Sequence, residues 1–477
     1  MKIRKYTYTL ALLASTVLWS CKKQLNVFPT TQEVDGNVIV DAKSAKTVLN
    51  GVYYRFANAG ADYNTVPSIL WTSVNEIVPS ELSGSLSNSS GEDGVYSLTL
   101  NSTSYAVSQY WTYGYQLVNA ANGFLKNVKD VATIPTASKN QMIAEAKFLR
   151  AFGNAQLLLY FGQYYDTNSK YGIILRDEFV TSDNINLPRS TVSESYASIL
   201  SDLDAAIPDL PKTNTTAYYA NQSAAKLLEA RVLINRGAAA DLPKVISLTT
   251  DVITNGGFQL ENSLQDLFLT KGFNSTEVIL GIQPYPTETY KFQQNQYYGQ
   301  YPASETFVEL LKSDPRNTWL YKDDQGGTVY GGYYGNINEI TKYYSGDTGN
   351  PKQTPLSENS YAFRLSEAYL LRAEANATAG TDISGAKADL KLIEKASGYT
   401  NPAVDAADAA TLRTLILKEQ VKNFFVENGL DWFAIRRLPL AEAQILQPAF
   451  SGKSDTHYIF PIPQTEINLN NKLIPNP

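Results

Sequence analysis

The sequence predicts a mainly α protein, built on packed helix pairs and interrupted by long irregular loop insertions with short strands. Three observations carry this. Apolar residues recur at helical spacing in several long segments, those segments stop at glycine, and the stretches between them are rich in Gly, Ser, Asn, Pro and Tyr with little period.

In "SKNQMIAEAKFLRAFGNAQLLLYFG", Ser138 is placed as N-cap and Ile143, Ala146, Leu149 and Phe152 share one face. From Leu157 to Phe161 the segment is apolar all round, which predicts burial on several sides. "NQSAAKLLEARVLINRG" repeats the plan with Ala225, Leu228 and Val232, stopping at Gly237. "FRLSEAYLLRAEANATAG" does so with Ala368, Leu371, Ala375 and Ala379, stopping at Gly380. The three share a local signature opening at Glu145, Glu229 and Glu367, unequally spaced, so a fixed-period array is excluded and helix pairs with large insertions are not. "DLPKVISLTTDVITNGG" and "DISGAKADLKLIEKASG" follow the second and third copies through short turns, as helix hairpins require. A later helix is expected from about Asp408 to Phe425, and Pro439 is placed at N1 of a short one carrying Leu440 to Leu446.

Two regions, one opening at "LWTSVNEIVPSE" and one running from "GIQPYPTETY" through "NPKQTP", read as long loops with short strands. Their tyrosines present flat apolar faces with a polar handle, which suits recognition.

The N-terminus carries its own message. Lys2, Arg4 and Lys5 precede an apolar run from Leu10 to Leu18. That run is far short of the roughly 20 residues needed to cross a bilayer, and it reads as a secretion signal. Leu18, Trp19 and Ser20 before Cys21 fit a bacterial lipobox, with Trp19 bulkier than usual. Residues 1–20 are then a signal peptide and Cys21 a lipid attachment point. Removing the signal leaves a body three charges more negative than the −6 of the whole chain, so nucleic acid and anionic head groups are poor partners.

Inventory excludes several chemistries. Cys21 is the only cysteine, which leaves no thiol for catalysis, disulfides or thiolate metal sites once it is acylated. The single histidine, His457, rules out histidine-rich zinc sites and reads as a strand-flanking structural residue. "DDQGG" at Asp323 and Asp324 lacks the spaced oxygen ligands of a calcium loop, so no metal or cofactor is expected.

Taken in order, these motifs resemble the SusD/RagB family of outer-membrane lipoproteins of Bacteroidetes. After the lipobox come "VNEIVPSE", similar to the family's short acidic segment, and "AEAKFLRAFGNAQLLLYFGQYY", similar to its EARFLRA helix. "SAAKLLEARVLINRG", "RLSEAYLLRAEA", "VKNFFVENGLDWFAIRR" and the terminal "IFPIPQTEINLN" complete the set, so the resemblance covers essentially the whole chain. Two departures stand out. Asp431 and Ala434 break the usual G-x-R-W-F-D run and put a family ion pair in doubt, and Lys22, Lys23 and Gln24 replace the acidic residues that often mark surface export.

The resemblance implies a SusD-like α/α superhelix of tetratricopeptide-like helix pairs, with an N-terminal part at 21–260 and a C-terminal part at 261–477. It also implies a non-catalytic glycan-binding protein, lipid-anchored in the outer membrane and facing the exterior, whose partner is a SusC-like TonB-dependent transporter. A peptide-capturing or purely structural lid is the alternative. Phe148, Leu149, Leu371, Phe425, Trp432 and Phe433 read as scaffold, and Glu145, Arg150, Arg372 and Glu374 as helix-terminus and inter-helix ion pairs. Ligand contacts are expected from Trp71, Asn75, Glu76 and Tyr96 in the first insertion and Tyr290, Tyr298, Trp319 and Tyr321 in the second. Asn75 and Glu76 rest on the family's acidic segment; the rest are chosen for chemistry and region. A remote third reading, a secreted glycoside hydrolase, needs two carboxylates about 5–10 Å apart. Nothing local singles out a pair among Glu76, Asp93, Asp314 and Asp324.

Overall fold

The computed structural model describes residues 38–57, 71–89, 91, 93–283, 300–324, 337–343 and 354–477. Cys21, Tyr290 and Tyr298 lie outside them. Helix outweighs strand by 57% to 5%, which makes the protein mainly α.

Helix α1 (Ala42–Phe56) opens on a capping box in which Asp41 and Ser44 satisfy each other's backbone N–H. It packs on α3 (Tyr105–Val128) and α4 (Thr136–Phe161). The start of α4 precedes the expected Ser138, because the carbonyl of Pro135 already accepts from Lys139 N at 2.9 Å. Pro135 is extended and cannot donate, so the helix begins immediately after it. From Ala151 to Phe161 every residue of α4 is buried, as its all-round apolar character required.

Next come α5 (Val192–Ala206), α6 (Gln222–Arg236) and α7 (Leu242–Asn255). After the second insertion follow α9 (Leu365–Ala379), α10 (Ile383–Ala396) and α11 (Ala409–Asn423). Both α6 and α9 stop at glycines in the left-handed region, Gly237 at φ 73° and Gly380 at φ 67°. Asp408 caps α11 through Thr411 N, and that helix ends two residues before Phe425. Helix α9 packs against α7, α10 and α11, joining the helix pairs into one stack. One continuous core runs from Ile39 to Leu473 and includes Phe148, Leu149, Phe425, Trp432 and Phe433.

The repeated glutamates turn out to be ties between helices. Glu145 of α4 accepts from Tyr53 of α1 at 2.8 Å. Glu229 of α6 meets Lys244 of α7 at 3.2 Å, and Glu367 of α9 holds Arg231 of α6 through two bonds at 2.7 and 2.8 Å. All three are buried. Their neighbours behave likewise: Arg150 pairs with Asp202 of α5, Arg372 with Asp389 of α10, and Glu374 with Arg437.

Strand β1 (Val278–Ile282) pairs antiparallel with β4 (Ser360–Arg364), and β2 (Tyr321–Asp324) with β3 (Ile337–Ile340). Short helices α8 (Glu305–Leu310), α12 (Leu430–Ile435), α13 (Leu440–Leu446) and α14 (Gln464–Leu469) complete the chain. Pro439 sits at the N-cap of α13 in an extended conformation, one position earlier than expected. His457 precedes an extended segment that belongs to no strand, and its ring stacks on Tyr165 at 3.9 Å. Among the described residues no helix is long and apolar enough to cross a membrane.

Candidate functional site: a platform made by the two insertions

The start of the first insertion is not a loop. Residues Thr72–Ile77 form a π-helix that runs into α2 (Val78–Leu82). Pro79 has no N–H to return to residue 75, and Val78 N reaches back five residues to Ser73 O, so the wider turn takes the place of an α turn. Trp71, Asn75 and Glu76 are consequently interior residues, all at most 1% exposed. The Trp71 ring lies 5.2 Å from Phe56 and 6.0 Å from Phe152, and Asn75 accepts from Gln156 at 3.3 Å. Burial takes these three out of reach of a polymer at the surface.

Beyond α2 the chain surfaces and meets the second insertion. Leu86 and Ala303 form an antiparallel bridge. Ser87 N donates to Pro302 O at 3.0 Å, Ser89 N to Gln300 O at 2.8 Å, and Ser304 N to Ser85 O at 3.0 Å. Ala303 N continues the seam to Asn338 O at 2.8 Å, so the paired strands β2 and β3 join the same layer. From behind, the buried amide of Gln447 donates to the carbonyls of Leu82 and Tyr96 at 2.8 and 3.1 Å. Two insertions more than 200 residues apart thereby form one surface.

That surface carries the groups that sugar recognition uses. Tyr96 is half-buried, Asn88 donates to exposed Asp93 at 3.1 Å, and Gln300 donates to Tyr301 OH at 3.2 Å. Planar amides and carboxylates beside aromatic faces match hydroxyl pairs and C–H patches on a sugar ring. Trp319 and Tyr321 serve the layer from beneath: each is 8% exposed, and the Trp319 ring lies 6.2 Å from Phe268.

A buried ionic network holds the platform to the helices. Lys342, just past β3, donates to Phe425 O at 2.6 Å and to the Glu427 carboxylate. Arg364, closing β4, donates to Glu427 at 2.7 Å, Glu277 at 2.5 Å and Asn423 at 2.8 Å. Two cations meet two carboxylates; burial draws Lys342 down to about 8 despite Glu427. Asp431 accepts from Ser80 at 2.6 Å and Ser83 at 3.0 Å, with no cation in ion-pair range among the described residues, and burial pushes it up to about 6.

The carboxylates considered for hydrolysis stand in unlike surroundings, and the side chain of Asp324 lies outside the described residues. Glu76 is buried in the π-helix, and Asp93 is exposed beside Asn88. Burial would raise Asp314, but Arg316 and Lys422 outweigh it and hold the group at about 2. Among the described residues no three His, Cys, Asp or Glu side chains are grouped to hold a metal ion.

Two family models match the chain. A model described as SusD-like, starch-binding associating with outer membrane, matches residues 46–234, and one described as SusD family, SusD_RagB, matches residues 254–477. The chain belongs to the SusD/RagB family. Among curated relatives, a SusD-like protein of Bacteroides ovatus is 26% identical over 264 residues, covering 54% of this chain and 44% of that protein. SusD-like protein P2 of Formosa agariphila is 25% identical over 445 residues, covering 80% of this chain and 82% of that protein. The SusD/RagB fold is equally plain in solved structures. A SusD superfamily protein of Bacteroides thetaiotaomicron superposes with a TM-score of 0.71 at 21% identity, over 92% of this chain and 100% of that one. A laminarin-binding SusD-like protein gives 0.71 at 20% identity, over 92% and 100%. NanU of B. fragilis gives 0.72 at 18% identity, over 94% and 99%.

Proposed function

We propose that this SusD/RagB protein captures glycan chains on the platform where its two insertions join, without cleaving them. The observation that carries the reading is the seam itself: amides, carboxylates and Tyr96 are presented on a surface fixed by backbone bonds to a rigid helical stack. A solved neighbour of the same fold is described as laminarin-binding, and one matching family model as starch-binding, which supports a glycan ligand. Tyr290 and Tyr298 belong to the second insertion and are proposed as further contacts, together with Tyr96. Cys21 would anchor the body to the outer membrane, facing outward, and a SusC-like TonB-dependent transporter would receive the ligand.

Isothermal titration of the full chain against a panel of soluble glycans tests the reading. At least one is expected to bind and be recovered intact, with Tyr96→Ala, Tyr290→Ala and Tyr298→Ala weakening it. Cleavage of a bound glycan by purified protein would overturn the non-catalytic reading, and binding confined to peptides would overturn the glycan one. For the anchor, Cys21→Ala is expected to move the protein from membrane to soluble fractions; membrane retention would refute it.

A further inference from the structure

None of the platform residues lines a second feature, a cavity of about 720 Å³ bounded by α6, α9, α11 and the turn after α12. Four arginines line it, Arg236, Arg413, Arg436 and Arg437, against a single carboxylate, Glu374. Two of the four are neutralised. Arg236 makes two bonds to Asp241 at 2.7 and 2.6 Å, and Arg437 two to Glu374 at 2.8 and 2.9 Å.

Arg413 and Arg436 have no carboxylate within ion-pair distance among the described residues. Arg436 is only 3% exposed. Its Nη1 donates to Leu159 O at 2.7 Å, while Nε and Nη2 have no acceptor. Arg413 donates from Nη2 to Arg437 O at 2.7 Å, and its buried Nε is likewise without an acceptor. The ring of Tyr164 lies 4.2 Å from the Arg436 guanidinium; it attracts the cation but accepts no N–H in the plane of the fork. Burial draws Arg436 below the usual arginine range, with no acid to offset the cost. At the rim, the stacked rings of Tyr165 and His457 are both partly open to solvent.

We propose that this cavity is an oxyanion site, in which Arg413 and Arg436 receive a carboxylate or sulfate group. A guanidinium presents its N–H donors as a planar fork that matches such groups. The volume exceeds what a lone ion needs and admits a sugar ring bearing the charge. The site is separate from the glycan platform, and either can fail without the other.

Isothermal titration of the full chain at low ionic strength, with sodium sulfate, sodium glucuronate and glucose as separate probes, reads the site. One or both anions are expected to bind with one-to-one stoichiometry and, where both bind, to displace each other. Glucuronate alone identifies a carboxylate ligand, and sulfate alone identifies a free or esterified sulfate; both outcomes support the site. Arg413→Gln is expected to weaken binding by about ten-fold or more while leaving the melting temperature in chloride nearly unchanged. Thr378→Glu, on the exposed rim, is the second variant: its carboxylate competes for the guanidinium groups and must weaken the anion as well. Failure of both anions to bind, or undiminished affinity in whichever variant folds, overturns the proposal.

Discussion

Arg364 and Glu427 meet at 2.7 Å, Nε to Oε2, deep beneath the platform. The pair ties β4 to the turn after α11, and Glu427 also receives Lys342 from the end of β3. Replacing the carboxylate would leave two buried cations undercompensated. Glu427→Gln is therefore expected to cost about 3–5 kcal/mol, seen as a lower urea midpoint with an unchanged slope. A loss below about 1 kcal/mol would mean that solvent reaches this cluster.

Asp431 gives a pH dependence of defined sign. Its carboxyl is pushed up to about 6 by burial, so the native protein keeps a proton between about pH 4 and 6 that the unfolded chain has released. Stability attributable to this group falls as pH rises through that window, and the penalty is complete above it. Asp431→Asn is expected to stabilise the protein by about 1–3 kcal/mol at pH 8, a gain that vanishes near pH 4. Denaturant titrations at pH 4, 6 and 8 measure this; a gain that grows toward low pH contradicts it.

Gly84 lies at the point where the first insertion enters the seam, at φ 79°, and a Cβ there would stand 2.3 Å from Leu446 O. Neither the backbone angle nor the space admits a side chain. Gly84→Ala is expected to cost about 2 kcal/mol or more and to weaken glycan capture together with stability. Thermal unfolding and titration of one sample read both, and unchanged values in the variant would show that the seam can shift.

Trp71 and Tyr96 belong to one insertion and should behave oppositely. Trp71→Ala removes a fully buried ring and is expected to cost about 3–5 kcal/mol. Tyr96→Ala is expected to cost less than about 1 kcal/mol and to reduce glycan affinity. Chemical denaturation beside titration separates the two, and a stable Trp71→Ala protein that has lost its ligand would return Trp71 to the binding surface.

The helices were legible because burial on one side writes a period into the chain. Ala225, Leu228 and Val232, or Ala368, Leu371 and Ala375, could be read without neighbours, and Gly237 and Gly380 marked where to stop. The segment around Asn75 could not. Ser73, Asn75 and Pro79 are poor helix formers, and what holds the π-helix is a distant contact, Tyr110 donating to Val74 O. The burial of Trp319 was hidden for a related reason: an aromatic residue in a polar stretch reads the same whether it faces solvent or, as Trp319 does, Phe268. Arg436 stood in a recognised block, yet its lack of an acid partner is a fact about space that no local pattern records.

The seam between the insertions is written in peptide groups, at Ser85, Ser87, Ser89, Pro302, Ala303 and Ser304. Nearly every amino acid brings the same N–H and C=O to such a position, so the join makes little demand on which side chains stand above it. The outward residues can therefore be exchanged one at a time while the join beneath them keeps its shape.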